Sequence, residues 1–208
     1  MLGLPKATEL SRQLPKKAIY AKFSMNTAAK NRFDADISRI TIVNEISPST
    51  VAIAAGEEVK SFYVLLVALK RKDYDERIIG QLSRLIEQNM LFVLECDDEA
   101  KLAIYHNKVM STDWSAKENL SVSLKGLNLD AVWQNVIVQI GEIQIEQGKT
   151  LDEQIAIDEK RAKLQKEINK LERLARAEKQ PKKKFELVTK LRNYQREMEV
   201  LLNGQKSD

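Results

Sequence analysis

Apolar positions along this 208-residue chain follow two patterns, which change over near residue 148. Before that point short apolar runs alternate with stretches of helical spacing. The segment 59–69 is rich in Val, Phe, Tyr and Leu, with an unbroken apolar run over 62–69, which predicts a central strand buried on both faces. Asp75 is placed to cap a helix over 76–88, where Ile78, Ile79, Leu82, Leu85 and Ile86 form one apolar face. A second buried strand follows at 90–94. Asp97-Asp98-Glu99 then turns the chain into a strand over 101–105. Strand, helix, strand and hairpin in this order predict an α/β (α+β) domain with a mixed sheet.

Weaker patterns surround this centre. The chain opens with a short polar helix ending near Leu14, and 18–23 reads as a short strand or extended arm. Asn26 or Thr27 can cap a helix over 28–37, because either side chain can accept a free backbone N–H. Ile40, Ile42 and Val43 begin a strand, broken by Ser47-Pro48-Ser49-Thr50. Leu120, Val122 and Leu124 alternate as an edge strand. Asn128 caps a helix from Leu129 to about Glu146, which closes the domain, and Gln147-Gly148-Lys149 is a hinge.

Beyond the hinge the period becomes that of a coiled coil. Thr150 and Glu153 stand at capping-box spacing. Ile157, Leu164 and Leu171 repeat at seven, while Leu187, Leu191, Tyr194, Met198 and Leu201 step by 4, 3, 4 and 3. Pro181 between the two stripes cannot continue the first helix but suits the first turn of a second. The prediction is therefore a mixed α/β domain over 1–147 and an antiparallel helical hairpin over 148–208 with a short disordered end. Arg161 falls at a core slot of the seam, so the hairpin is expected to be marginal unless it packs on the domain or on a second chain.

The net charge of +4 conceals a strong segregation. Residues 1–32 carry seven basic side chains against Glu9, and 160–192 carry thirteen against four glutamates. The balances are +6 and +9, so the middle is acidic. Such ends suit a polyanion, an acidic partner or the chain's own acidic middle. The residues to watch are Lys179, Lys182, Lys183 and Lys184 at the hairpin tip, then Lys16 and Lys17.

Chemistry is sparsely signalled. One histidine, His106, and one cysteine, Cys96, cannot make a zinc site, and any His-based nucleophile system must use His106. No glycine-rich phosphate cradle occurs. A PD-(D/E)xK nuclease would need two carboxylates to hold Mg²⁺ and a lysine at the attacked phosphate. Asp36 with Glu58-Val59-Lys60 supplies the letters, but Glu58 precedes the apolar strand; at the better-placed Ala68-Leu69-Lys70 the acid is absent. Asp34 with Asp36, and Asp73 with Asp75, read more simply as caps and turn residues. No cofactor is expected, Mg²⁺ entering only under the nuclease reading. No apolar run approaches the ~18 residues of a membrane span. Pro5 and Glu9 interrupt any signal-peptide core, and a single cysteine excludes an internal disulfide, so the expected location is cytoplasmic.

Four segments carry a resemblance: Leu14-Pro15-Lys16-Lys17, Arg32-Phe33-Asp34-Ala35-Asp36-Ile37, the 59–70 strand followed by Asp73-Tyr74-Asp75, and Ala177-Glu178-Lys179-Gln180-Pro181-Lys182-Lys183-Lys184. Together they resemble a bacterial family catalogued as a domain of unknown function, whose members are usually encoded beside a SNF2-like or DEAD-type helicase and a site-specific DNA methyltransferase. The resemblance covers essentially the whole chain and includes no catalytic signature. It implies a part in a restriction or phage-defence operon. The expected function is a non-catalytic accessory subunit whose basic hairpin contacts a helicase or methyltransferase partner, nucleic acid, or both. A Mg²⁺-dependent nuclease and a purely structural coiled-coil adaptor are the alternatives.

Overall fold

The computed structural model describes residues 2–203 and divides into two units, 1–143 and 144–208. The first unit is built on a seven-stranded mixed sheet. Its strands are β1 (Glu9–Gln13), β2 (Ile37–Ile46), β3 (Phe62–Leu69), β4 (Asn89–Cys96), β5 (Glu99–His106) and β6 (Lys108–Ser111) in that spatial order, with β7 (Ser115–Ala116) also on β5. Among these strands only β3 and β4 pair in parallel. A parallel pair requires a crossover, and this one includes α4 (Arg77–Leu82).

The strand pattern explains the layers. Successive side chains of a strand point to opposite faces. On one face Leu65, Val67, Phe92 and Leu94 pack with Ile19 of α1 (Lys16–Lys22), Phe33 of α2 (Thr27–Asp36), and Ile78, Ile79 and Leu82 of α4. Phe62 points to the other face, where its ring lies 5.0 Å from that of Trp133 in α5 (Leu129–Gly141). Sheet and helices therefore bury each other's apolar faces, the main favourable term available to the domain.

Several expectations change. The opening segment is a single 3-10 turn at Lys6–Thr8 followed by strand β1. All five residues of β1 are exposed, so an edge strand with no buried face shows no alternation. Residues 18–23 lie mostly in α1: Ile19, Tyr20 and Phe23 reach the core at helical spacing. The helix expected over 76–88 ends at Leu82. Beyond Gly80 the bonds shorten to three-residue turns, Arg84 N–H on Gln81 O and Leu85 N–H on Leu82 O, and the Ser83 hydroxyl donates to Gly80 O. Asp75 does not occupy the cap; its carboxylate accepts the N–H of Arg77.

Residues 120–124 form no strand, though Leu2 bridges Ser121. The alternation there is genuine, but a side chain substitutes for the ladder: the Gln139 amide accepts from Ser123 N–H and donates to Ser123 O, both at 2.9 Å. Helix α5, capped as expected by Asn128, stops at Gly141. Glu142 takes the left-handed conformation (φ 49°), and the N–H groups of Glu142 and Ile143 close on Val138 O. The first unit ends at Ile143.

One side chain fixes how β3 is entered. Asp130, in the first turn of α5, accepts the N–H groups of Glu57 (2.6 Å), Glu58 (3.2 Å) and Val59 (2.7 Å). The Val59 bond chiefly, with those of Glu57 and Glu58, holds this carboxyl below the ordinary carboxylate range. Gly56 is what lets the loop approach, since a Cβ there would lie 2.0 Å from Asp130 Oδ1.

The second unit is a hairpin of α6 (Leu151–Ala177) and α7 (Pro181–Asn203), packed on each other across a three-residue turn. Thr150 and Glu153 form the expected capping box, with Glu153 accepting Thr150 N–H at 2.8 Å. Leu164, Ile168, Leu171 and Ala175 are buried along α6; Leu187, Leu191, Tyr194, Met198 and Leu201 are half-buried along α7. The disordered end expected after the second helix lies outside the described residues.

Gly56→Ala should cost about 2 kcal/mol of stability in urea unfolding, because a short, fully engaged carboxylate must move. A depressed carboxyl stabilises above its unfolded pKa and loses that contribution as pH falls through the folded value. Asp130→Asn should therefore destabilise the chain at pH 7 and flatten its loss of stability below about pH 4, read by thermal unfolding across pH.

Candidate nucleic-acid and partner interface

The residues that a nuclease would need are not brought together. Asp36 precedes β2, and Ile37 pairs with Leu69 at the end of β3, whereas Glu58 and Lys60 precede the start of β3. Seven steps along β3 separate the two ends by roughly 23 Å. Each group also has a structural task. Asp36 is 2% exposed and accepts Nε and Nη2 of Arg71 at 2.7 and 2.6 Å and the N–H of Asp75 at 3.1 Å. The Glu58 N–H belongs to the Asp130 clamp, and Lys60 Nζ donates to Gly56 O at 2.8 Å.

Asp36 does stand near Lys70, whose N–H donates to Asp36 O at 2.7 Å. Ala68, however, occupies the place a second carboxylate would need. Divalent-metal chemistry wants several free carboxylate oxygens; both oxygens of Asp36 are engaged, so these residues do not fit Mg²⁺. Among the described residues no cluster of three or more His, Cys, Asp and Glu could hold a metal ion. Asp34 and Asp36 are not caps: they lie in the last turn of α2, where the helix dipole opposes a negative charge, and nearby cations hold them there.

Lys16 is one of those cations. Its Nζ donates to Asp34 Oδ1 and to Ile37 O, both at 2.6 Å, and lies 5.9 Å from the Phe33 ring centroid. Lys16 foremost, then the Tyr20 hydroxyl, lowers the Asp34 pKa; burial and this bond push Tyr20 up to about 12. Lys16 therefore ties α1 to the end of α2, whereas neighbouring Lys17 is exposed.

The hairpin tip differs. Lys179, Lys182, Lys183 and Lys184 are all exposed, and no ion pair ties them among the described residues. Glu178, next to Lys179 in the chain, accepts Gln180 N–H at 2.8 Å and so closes the turn. Arg173 on the last turns of α6 is exposed as well, while Arg176 pairs with Glu172 at 3.8 Å. Far from the tip, Arg161 accounts for the polar seam position: it donates to Glu146 at 2.8 Å and to Leu201 O at 3.1 Å, across the hairpin.

The family described as "Domain of unknown function (DUF4391)" matches residues 2–198. The chain belongs to this family. Neither the curated proteins nor the solved structures contain a match.

Within this DUF4391 chain, one cluster carries no motif. Lys101 of β5 is 8% exposed, and its Nζ lies 5.2 and 5.5 Å from the ring centroids of Tyr74 and Trp114 and 3.3 Å from Ser111 Oγ. Lys72 sits 5.5 Å from the same Trp114 ring and pairs with Glu99. Burial, then Glu76, raises the Tyr74 phenol, which has no hydrogen-bond partner. These groups staple the loop after β3 onto β5 by cation–π contact. They lie far apart in sequence, so spacing could not reveal them. Cys96 is buried with its thiol pKa raised, and His106 stands opposite Lys108 across the β5–β6 turn. Among the described residues no helix is long and apolar enough to cross a membrane.

If Asp36 is structural, Asp36→Ala should cost about 3 kcal/mol in chemical denaturation, the scale of breaking a buried pair. Glu58→Ala should stay within about 0.5 kcal/mol, because only the Glu58 backbone is used.

Proposed function

We propose that the chain is a non-catalytic accessory subunit of a bacterial DNA restriction-modification or phage-defence system. Its hairpin tip contacts nucleic acid and a helicase or DNA methyltransferase partner. The observation that carries this reading is the density of exposed, unmatched cations at the tip. In the sheet unit Lys16, Arg71, Lys72, Arg77 and Lys117 each meet a carboxylate. At the tip, four lysines within six residues meet none among the described residues. Unmatched like charges held on the turn and the first turn of α7 repel one another, and a polyanion relieves that repulsion while releasing its counterions. The segments that resemble the family encoded beside helicase and methyltransferase genes support the same reading from the sequence.

Binding of the full chain to a DNA duplex by gel shift should weaken steeply with salt, with a log-log slope near −0.9 per phosphate contact. Lys182/Lys183/Lys184→Glu should bind more weakly and lower the slope by about three contacts' worth. Equal, weak binding by both proteins would overturn the nucleic-acid part. A helicase or methyltransferase that still copurifies from host cells would then leave a structural coiled-coil adaptor.

A further inference from the structure

Opposite the seam, α7 carries a second stripe. Lys182, Phe185, Thr189, Arg192 and Arg196 step by 3, 4, 3 and 4, and all five are exposed. Such spacing stacks them along one helix face. The stripe spans about 21 Å at 1.5 Å per residue. No carboxylate stands among these five positions; Glu199 takes the next step of three beyond Arg196 and ends the cationic run. Glu186 and Glu197 lie to its flanks, and Glu197 is paired with Lys160 of α6 at 3.2 Å. Phe185 is 72% exposed and has cations to either side along the stripe.

We propose that this stripe is a track for single-stranded nucleic acid, on which Phe185 stacks against an unpaired base while Lys182, Arg192 and Arg196 meet the phosphates. The proposal rests on the nucleic-acid reading of the hairpin tip and names the ligand class and the surface. Three considerations select it. A base inside a duplex is already stacked on both faces, so only an unpaired one offers a face to Phe185. A membrane surface needs a broad apolar face, and one aromatic among three cations does not make one. A protein hot spot surrounds its aromatic anchor with neighbours that exclude water, whereas Lys182 and Thr189 adjoin Phe185 along the stripe.

Fluorescence anisotropy of the full chain with a labelled 20-nucleotide single strand, and with its duplex, tests the assignment. Phe185→Ala should weaken single-strand binding about tenfold, the scale of one lost base–aromatic stack, and change duplex binding by less than about twofold. The exposed position lets the circular dichroism spectrum and melting temperature stay unchanged. Phe185→Trp should restore affinity, and its added emission should be quenched by the strand. Equal single-strand affinity of the wild type and Phe185→Ala would overturn the stacking track. If Lys182/Lys183/Lys184→Glu still loses binding, the tip reading survives that failure; if it binds equally too, both fall. Loss of a copurifying protein on Phe185→Ala, with unchanged nucleic-acid affinity, would overturn the track in favour of a protein-docking surface.

Discussion

The pairing of buried Asp36 with Arg71 ties the end of α2 to the loop that leaves β3. A carboxylate 2% exposed is tolerated only with partners, because an unpaired buried charge costs several kcal/mol. Asp36 takes one from the Arg71 side chain and one from the Asp75 backbone. Both partners lie in the loop that leaves β3, so satisfying one charge sets the path of that loop. The same loop leads into α4, and α4 lies on the crossover that lets β4 run parallel to β3. Lys101, between Tyr74 and Trp114, fixes its other side. What looks from letters alone like half of a metal site is therefore a fastening for the crossover between the parallel strands β3 and β4.

The legibility of the fold followed the locality of its causes. β3 and β4 were readable because a buried strand is marked by its own run of apolar side chains. The caps at Asn26, Asn128 and Thr150 were readable because the accepting side chain and the donating N–H are three residues apart. β1 was not, since it is held by pairing to β2 alone and buries nothing. α4 was overextended because Leu85 and Ile86 pack against the core from turns, which keeps the apolar spacing without the helix. Gln139 imitating a backbone partner for Ser123 belongs to the same class: a contact over sixteen residues cannot be seen in alternation.

The candidate interface was legible for an electrostatic reason and incomplete for a geometric one. A run of lysines beside a proline turn is visible in any sequence. That Lys16 is committed to Asp34 while Lys17 is not depends on where α2 ends against α1. The outer stripe of α7 is overshadowed by the stronger seam pattern on the same helix, and Phe185 gains meaning only once the seam is assigned to the opposite side. Arg161, which interrupts that seam, crosses it to Leu201 O, and a polar contact of this kind fixes which turn of α7 faces which turn of α6.

The tip lysines are the cations free to meet a polyanion, and amine-reactive footprinting reads that directly. The full chain would be acetylated briefly with and without a single-stranded oligonucleotide, and each lysine quantified by mass spectrometry. Protection confined to Lys179, Lys182, Lys183 and Lys184, with Lys16 and Lys101 slow to react in both conditions, is the predicted result. Protection of sheet-unit lysines with no change at the tip would contradict it.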